Sequence, residues 1–271
     1  MNNHSFKLNY GSSLLVLLIF LLANGLMFLP SLIYPNYLTN ENQLNYLLLF
    51  QTIPFYLTFI CVTYFFNGNS KKLKIKTRFS GFSIFFTSIA LFFFTLLLNE
   101  FLVGLIPTKG YPVIEKMYKD LSEIFEQLKP MPVTLVLATC IFAPLLEEIL
   151  FRGILLRGLL NNRNNPYLAI FFTSFLFGLV HGNPWQFMGG LTIGLAMGYI
   201  YYKTQSLVYT ILIHALNNSI AAYLLFTVED FEIQEIKGIT FLGAMATLLI
   251  IIALGSLLHL LTNKSRRKMS I

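Results

Sequence analysis

Residues 131–160 read MPVTLVLATCIFAPLLEEILFRGILLRGLL. Nearly all of these side chains are apolar, and the run exceeds the about 20 residues a helix needs to cross a bilayer core of about 30 Å. Into it the sequence inserts Glu147, Glu148 and Arg152. Charges at membrane depth are costly and as a rule functional. The stretch therefore predicts two things together: an all-α, polytopic membrane helix bundle, and a chemistry carried by this helix.

Composition extends that reading to the whole chain. Its 271 residues are 56% hydrophobic and 11% charged, where a soluble domain has about 25% charged residues. The net charge of +7 belongs to positively charged cytoplasmic loops, and no nucleic-acid partner is expected. Cys61 and Cys140 each lie in an apolar run and read as small core hydrophobes, without a disulfide framework or a Cys-based metal site. The apolar run from Gly11 to Tyr34 is longer than the about 7–15 residues of a cleaved signal peptide. It is expected to be an uncleaved first span.

Eight runs qualify as spans, near 11–34, 44–66, 81–106, 131–160, 165–182, 186–202, 206–227 and 238–262. The fifth and sixth are short, and only Gly182-Asn183-Pro184-Trp185 separates them, so the pair reads as either a full hairpin or a re-entrant element. Eight spans put both termini on one side. The loops there carry Lys7, Lys71, Lys72, Lys74, Lys76, Arg78, Arg157, Arg163, Lys203, Lys264, Arg266, Arg267 and Lys268, and no acid. The opposite loops carry Lys109, Lys116, Lys119, Lys129 and Lys237 against Glu41, Glu115, Asp120, Glu123, Glu126, Glu229, Asp230, Glu232 and Glu235. The bias predicts both termini in the cytoplasm. With no visible repeat or linker, the chain reads as one domain. In the loop 107–130, Ile114, Met117, Tyr118, Leu121, Ile124, Phe125 and Leu128 recur at helical spacing. They predict an amphipathic helix near the outer face, serving as a cap or as a gate.

The remaining polar groups of the bundle gather on four spans. Glu148 and Arg152 are four apart and can pair; Glu147 points about 100° away and is free for another neighbour. Pro144 removes a helix hydrogen bond and opens space beside it. The next span carries Phe177 and His181, with the ring one turn before the imidazole. A later one carries His214 and Asn218 on one face, beside Asn217. Gly190, Gly194 and Gly198, four apart, permit close helix approach. Counting from the turn at residues 161–164, Glu147 lies about 20 Å up its helix and His181 about 24 Å up the next; Asn218 lies about 18 Å from Ser206. The groups can meet at one level. His4 and His259 receive no role.

A carboxylate beside a histidine can activate water. Hydrolysis of a peptide bond also needs donors for the developing oxyanion. Helix N–H groups in a membrane are already used, so His214 and Asn218 would have to serve. These residues carry a resemblance. Glu147-Glu148-Ile149-Leu150-Phe151-Arg152, Phe177 to His181 and His214 to Asn218, in this order on successive spans, resemble the three motifs of the CAAX-protease and bacteriocin-processing (CPBP, or Abi) family of intramembrane glutamic endopeptidases. The likeness covers about 131–227. It implies an eight-helix bundle and metal-independent proteolysis with no cofactor. It further implies that Glu147 and His181 activate water while His214 and Asn218 hold the oxyanion. Glu148, Arg152 and Phe177 would support them. Residues 131–227 would form the catalytic core, with 1–106 and 238–262 accessory. The implied partner is a membrane-associated peptide or protein substrate in the lipid bilayer, and the implied location a bacterial cell membrane.

Three rivals stand beside this reading. A scaffold, regulator or bacteriocin self-immunity protein of the same fold would keep the bundle without catalysis. A metal-dependent protease could use the two Glu and two His, but no His-Glu-x-x-His occurs and Arg152 opposes a cation. A proton-coupled transporter also buries carboxylates, but internal repeats are lacking.

Overall fold

The computed structural model describes residues 6–27, 43–66, 77–227 and 240–268. Residues 28–34 of the first expected span lie outside them, as do His4, Glu41, Lys71, Lys72, Lys74, Lys76, Glu229, Asp230, Glu232, Glu235 and Lys237, and the side chains of Leu128, Arg266, Arg267 and Lys268. The described residues are helical and contain no strand. Among the described residues nine helices follow one another: α1 (Tyr10–Met27), α2 (Gln43–Phe66), α3 (Phe82–Gly104), α4 (Pro112–Leu128), α5 (Pro132–Asn161), α6 (Pro166–Leu179), α7 (Pro184–Thr204), α8 (Leu207–Thr227) and α9 (Phe241–Lys268).

The chain is an integral membrane helix bundle, with fewer clear spans than the hydropathy runs suggest. Among the described residues four helices are long and apolar enough to cross a bilayer: α3, α5, α8 and Phe241–Ser265 of α9. Tyr10–Leu26, Thr52–Tyr64 and Pro166–Leu179 are apolar but shorter. Helix α7 has the length, about 31 Å for 21 residues, but its glycines and polar groups dilute its hydropathy. Those residues are explained by packing. The expected amphipathic helix forms as α4, with Pro112 at its start.

Helices α6 and α7 make a full hairpin. Asn165 caps α6 by accepting from the N–H groups of Tyr167 and Leu168, and Asn183 caps α7 by accepting from Gln186 N–H. Gly182 turns the chain with φ 71°. The two helices then approach along a ladder. A methyl placed on Gly190 would stand 2.7 Å from Gly178 Cα, on Gly194 3.0 Å from Ser174 Cβ, and on Gly198 2.9 Å from Ile170 Cγ2. The four-residue spacing of the glycines thus meets a four-residue spacing on α6, which is the close-packing use of small residues.

Basic residues gather at one end of the bundle. Leu8 N–H donates to Gly158 O (3.0 Å) and Asn161 Nδ2 to Phe6 O (2.8 Å), which ties the start of the chain to the end of α5. Ser80 N–H donates to Tyr209 Oη (2.6 Å), and Lys203 Nζ donates to His259 Nδ1 (2.6 Å). Lys7, Arg78, Arg157, Arg163 and Lys203 therefore share an end. At the other end the ring of Tyr118 on α4 meets Trp185 edge-on at 5.2 Å.

Helix α5 is not a regular α-helix. Two wide π-type stretches, Val136–Phe142 and Ile149–Leu156, flank a short α-helical piece, Ala143–Glu148. Ala143 N–H bonds the carbonyl of Ala138, five residues back. In that register the next donor would be residue 144, a proline with no N–H, so the Thr139 carbonyl needs another partner. Such wide turns concentrate at functional sites, and the two glutamates close the short piece that lies between these two.

The ladder generates a direct test. Gly190→Val drives side-chain carbons into the backbone of Gly178 and should lower stability by about 1–3 kcal/mol. Gly255→Ala, whose methyl would stand 3.6 Å from Tyr199, should be near neutral. Thermal unfolding of the purified protein reads both, and equal melting temperatures would contradict the packing.

Candidate active site

Glu148 and Arg152 form the centre. The expected pair is made, with Arg152 Nη1 donating to Glu148 Oε1 at 2.6 Å. Both side chains are shut away from solvent, at 0% and 2% exposure. Arg152 Nη2 makes a long contact to the Gly194 carbonyl on α7 (3.4 Å), and its guanidinium lies 4.6 Å over the ring of Phe177 on α6.

His214 on α8 stands between the two glutamates. Its Nδ1 is 3.0 Å from Glu148 Oε1, and its Nε2 is 3.8 Å from Glu147 Oε2. With Glu148 as an ionised acceptor, Nδ1 carries the proton. Glu147 is turned away from Arg152 as helix geometry requires, and its side chain keeps 22% exposure. The neighbour it faces is His214. It makes no ion-pair contact with His181.

His181 lies past the end of α6, in the turn that leads to α7, and not inside a helix as the hydropathy run suggests. Its Nδ1 is 2.8 Å from the Phe177 carbonyl. A carbonyl can only accept, so Nδ1 donates, which leaves Nε2 as the unprotonated nitrogen of the neutral ring. Phe177 links the two imidazoles: its ring is edge-on to His181 at 5.3 Å and to His214 at 5.7 Å.

Asn218 has a role the sequence does not announce. Its Nδ2 donates to the Thr139 carbonyl at 2.7 Å, the group stranded by Pro144, while its Oδ1 accepts from Asn217 Nδ2 at 3.0 Å. One Nδ2 proton is committed and a second remains. Thr139 and the Gly194 carbonyl were invisible to motif reading because a backbone acceptor leaves no residue-type signal. The His214–Glu148 contact joins residues 66 apart in sequence and likewise has no local signature. His259, which receives no role from its position in the sequence, pairs with Lys203 on α7.

Several groups of this constellation can move protons or donate hydrogen bonds: one carboxylate with partial access, two imidazoles and one amide, arranged around a buried ion pair. Among the described residues, no group of three or more His, Cys, Asp or Glu is placed to hold a metal ion.

The comparisons with known proteins fall on this part of the chain. Residues 129–220 match the family described as Rce1-like, Type II CAAX prenyl endopeptidase Rce1-like. The chain is 34% identical over 83 residues to "UPF0177 protein YaiF" of Lactococcus lactis subsp. lactis (strain IL1403), covering 31% of this chain and 37% of that protein. It is 26% identical over 101 residues to "Putative membrane peptidase YdiL" of Bacillus subtilis (strain 168), covering 37% of this chain and 41% of that protein. The matched stretches span about two fifths of the length of these curated relatives. No solved structure matches the chain. Glu147, Glu148, Arg152, Phe177, His181, His214 and Asn218 all lie within residues 129–220, so the segment that carries the site is the one that is similar to the Rce1-like CAAX endopeptidase family.

Proposed function

We propose that the protein is an intramembrane endopeptidase that hydrolyses a peptide bond of a membrane-associated peptide or protein by a metal-independent glutamic mechanism. The observation that carries this reading is Glu147: a carboxylate free of Arg152, partly accessible, with an imidazole nitrogen 3.8 Å away on another helix. In this mechanism Glu147 takes a proton from water, assisted by His181 through its unprotonated Nε2. The water oxygen attacks the scissile carbonyl carbon. The oxyanion accepts hydrogen bonds from His214 Nε2 and from the second Nδ2 proton of Asn218. The C–N bond then breaks, and the leaving amine takes the proton held by Glu147.

His214 can donate at Nε2 only when it also keeps its Nδ1 proton for Glu148. The imidazolium that this requires has carboxylates on both sides, Glu148 at 3.0 Å and Glu147 at 3.8 Å. Side chains take the oxyanion duty because α5 and α8 use their own N–H groups internally. We read the chain as one membrane domain with its catalytic core at 131–227, helices 1–106 and 238–262 accessory, and the basic end in the cytoplasm. A CAAX-type substrate is one candidate within the proposed class, on the strength of the family description.

Replacing the base tests the proposal. Glu147→Gln keeps the shape and removes proton acceptance, so cleavage should fall by about 10²–10⁴-fold with an unchanged melting temperature. Comparing membrane peptides from cells that carry the wild-type protein with those from cells that carry the variant reads this directly; identical peptide profiles would remove the catalytic reading in favour of a scaffold.

The ion pair predicts a different behaviour. Arg152→Ala strands a desolvated carboxylate and should lower stability by about 3–5 kcal/mol, along with activity. Arg152→Met combined with Glu148→Leu should recover stability but not activity, because His214 loses its acceptor. Thermal unfolding of Arg152→Ala at the wild-type temperature would contradict the role given to the pair.

Chelation separates the last rival. Activity should survive exhaustive treatment with a strong chelator; loss on chelation with rescue by zinc would establish a metal-dependent protease.

A further inference from the structure

Three buried polar atoms outside the constellation have no hydrogen-bond partner among the described residues: Oγ of Ser206, at the basic end beside the start of α8, and, next to the catalytic groups, Nε1 of Trp185 and Oδ1 of Asn99. Trp185 is 3% exposed and Asn99 7%. One is a donor without an acceptor, and the other an acceptor without a donor. Buried polar groups are almost always paired, so each unpaired one needs a reason. They do not satisfy each other.

Both atoms belong to one wall. Gly189 follows Trp185 by one turn of α7 and shares its face. The first atoms a methyl on Gly189 would meet are Asn99 Oδ1 and Nδ2, at 3.8 and 3.9 Å. Gly189 stands outside the ladder that joins α7 to α6, where the crowded glycines are 190, 194 and 198. Gly189 is partly exposed, so accessible space reaches the wall between Asn99 and Trp185, whose two unpaired atoms are themselves covered. Tyr118 of α4 rests edge-on against the indole at 5.2 Å and so roofs one end of it.

The wall begins directly after the proposed catalytic turn. Asn183 Nδ2 donates to the His181 carbonyl at 3.1 Å, while Asn183 Oδ1 caps α7. Four residues lead from His181 to Trp185, so their backbones lie within about 14 Å of each other. An extended peptide covers such a distance in about four residues.

An extended chain presents an N–H and a C=O to the same edge at alternate residues. A wall that offers one acceptor and one donor matches that edge, as a sheet edge does when a strand is added to it. No charged side chain takes part, which suits a neutral peptide backbone better than a headgroup phosphate. We propose that Asn99 and Trp185 form a backbone-reading subsite that holds the substrate peptide extended beside the catalytic groups, Asn99 Oδ1 accepting an amide N–H and Trp185 Nε1 donating to a carbonyl. This inference rests on the peptidase reading and deepens it. It assigns the substrate a locally unwound stretch recognised by its amides, since a helix has no free amides to offer.

Trp185 is the single tryptophan of the sequence, so tryptophan emission reports on this indole alone. The Glu147→Gln protein in lipid nanodiscs is titrated with a palmitoylated ten-residue peptide of alternating alanine and threonine, and with the same peptide N-methylated at every amide. The unmethylated peptide should shift the emission saturably to longer wavelength, and the methylated one should not. Asn99→Leu should weaken binding of the unmethylated peptide about 5–10-fold, the loss of one neutral hydrogen bond. Should that variant fail to fold, the two peptides compared on the Asn99 protein still decide the matter. Equal responses to both peptides, or unchanged affinity in Asn99→Leu, overturn the subsite. Because Glu147→Gln is used, cleavage plays no part in the readout. Glu147-dependent cleavage of membrane peptides without any emission change overturns the subsite and leaves the peptidase reading standing. The predicted emission change without such cleavage overturns the peptidase reading and leaves a peptide-binding site.

Discussion

An arginine inside an apolar bundle has given up its water, and the groups that replace that water determine how the helices meet. Arg152 takes a carboxylate from its own helix, the face of Phe177 from α6 and the Gly194 carbonyl from α7. Its partner Glu148 takes His214 from α8. A buried ion pair is weak evidence for net stability, because desolvation offsets most of the attraction. Here its consequence is geometric: four helices are brought to one point, and the His214 ring is fixed with Nδ1 toward Glu148 and Nε2 toward Glu147. The twin glutamates thus divide their work, one locked in the ion pair and the other left partly open beside an imidazole.

Two backbone features allow that arrangement. The ladder of Gly190, Gly194 and Gly198 against Gly178, Ser174 and Ile170 lets α7 lie close enough to α6 for the Gly194 carbonyl to come within 3.4 Å of Arg152. The first wide stretch of α5, Val136–Phe142, with Pro144 between it and the glutamates, leaves the Thr139 carbonyl without an intrahelical donor. In a membrane such a carbonyl must find a partner, and Asn218 of α8 supplies it at 2.7 Å. The same proline that loosens α5 therefore fastens it to the helix that carries His214.

Much of this was legible in the amino-acid order. The i,i+4 rule alone paired Glu148 with Arg152 and turned Glu147 elsewhere, and the four-residue glycine spacing announced close packing. The amphipathic period in the loop 107–130 marked α4. What failed was of two kinds. Eight hydropathy runs stand against four helices that are long and apolar enough among the described residues, because α7 is diluted by the small and polar residues that let it sit among other helices, and α6 is short. Nor could periodicity find contacts made by backbone atoms or between distant segments: Thr139 with Asn218, Gly194 with Arg152, and His214 between two glutamates. His181 reads as helical because its neighbours are apolar, yet Gly182 and the Asn183 cap end the helix before it.

In the proposed mechanism Glu147 and His214, on helices joined through Glu148, act on the substrate as one unit. Groups that act as a unit give non-additive losses, and independent groups give losses that multiply. The most direct measurement is the cleavage rate of one membrane peptide by Glu147→Gln, His214→Gln and the double variant, each checked for intact folding. The double variant should be about as slow as the slower single variant. A double variant slower by the product of the two single losses would contradict the account.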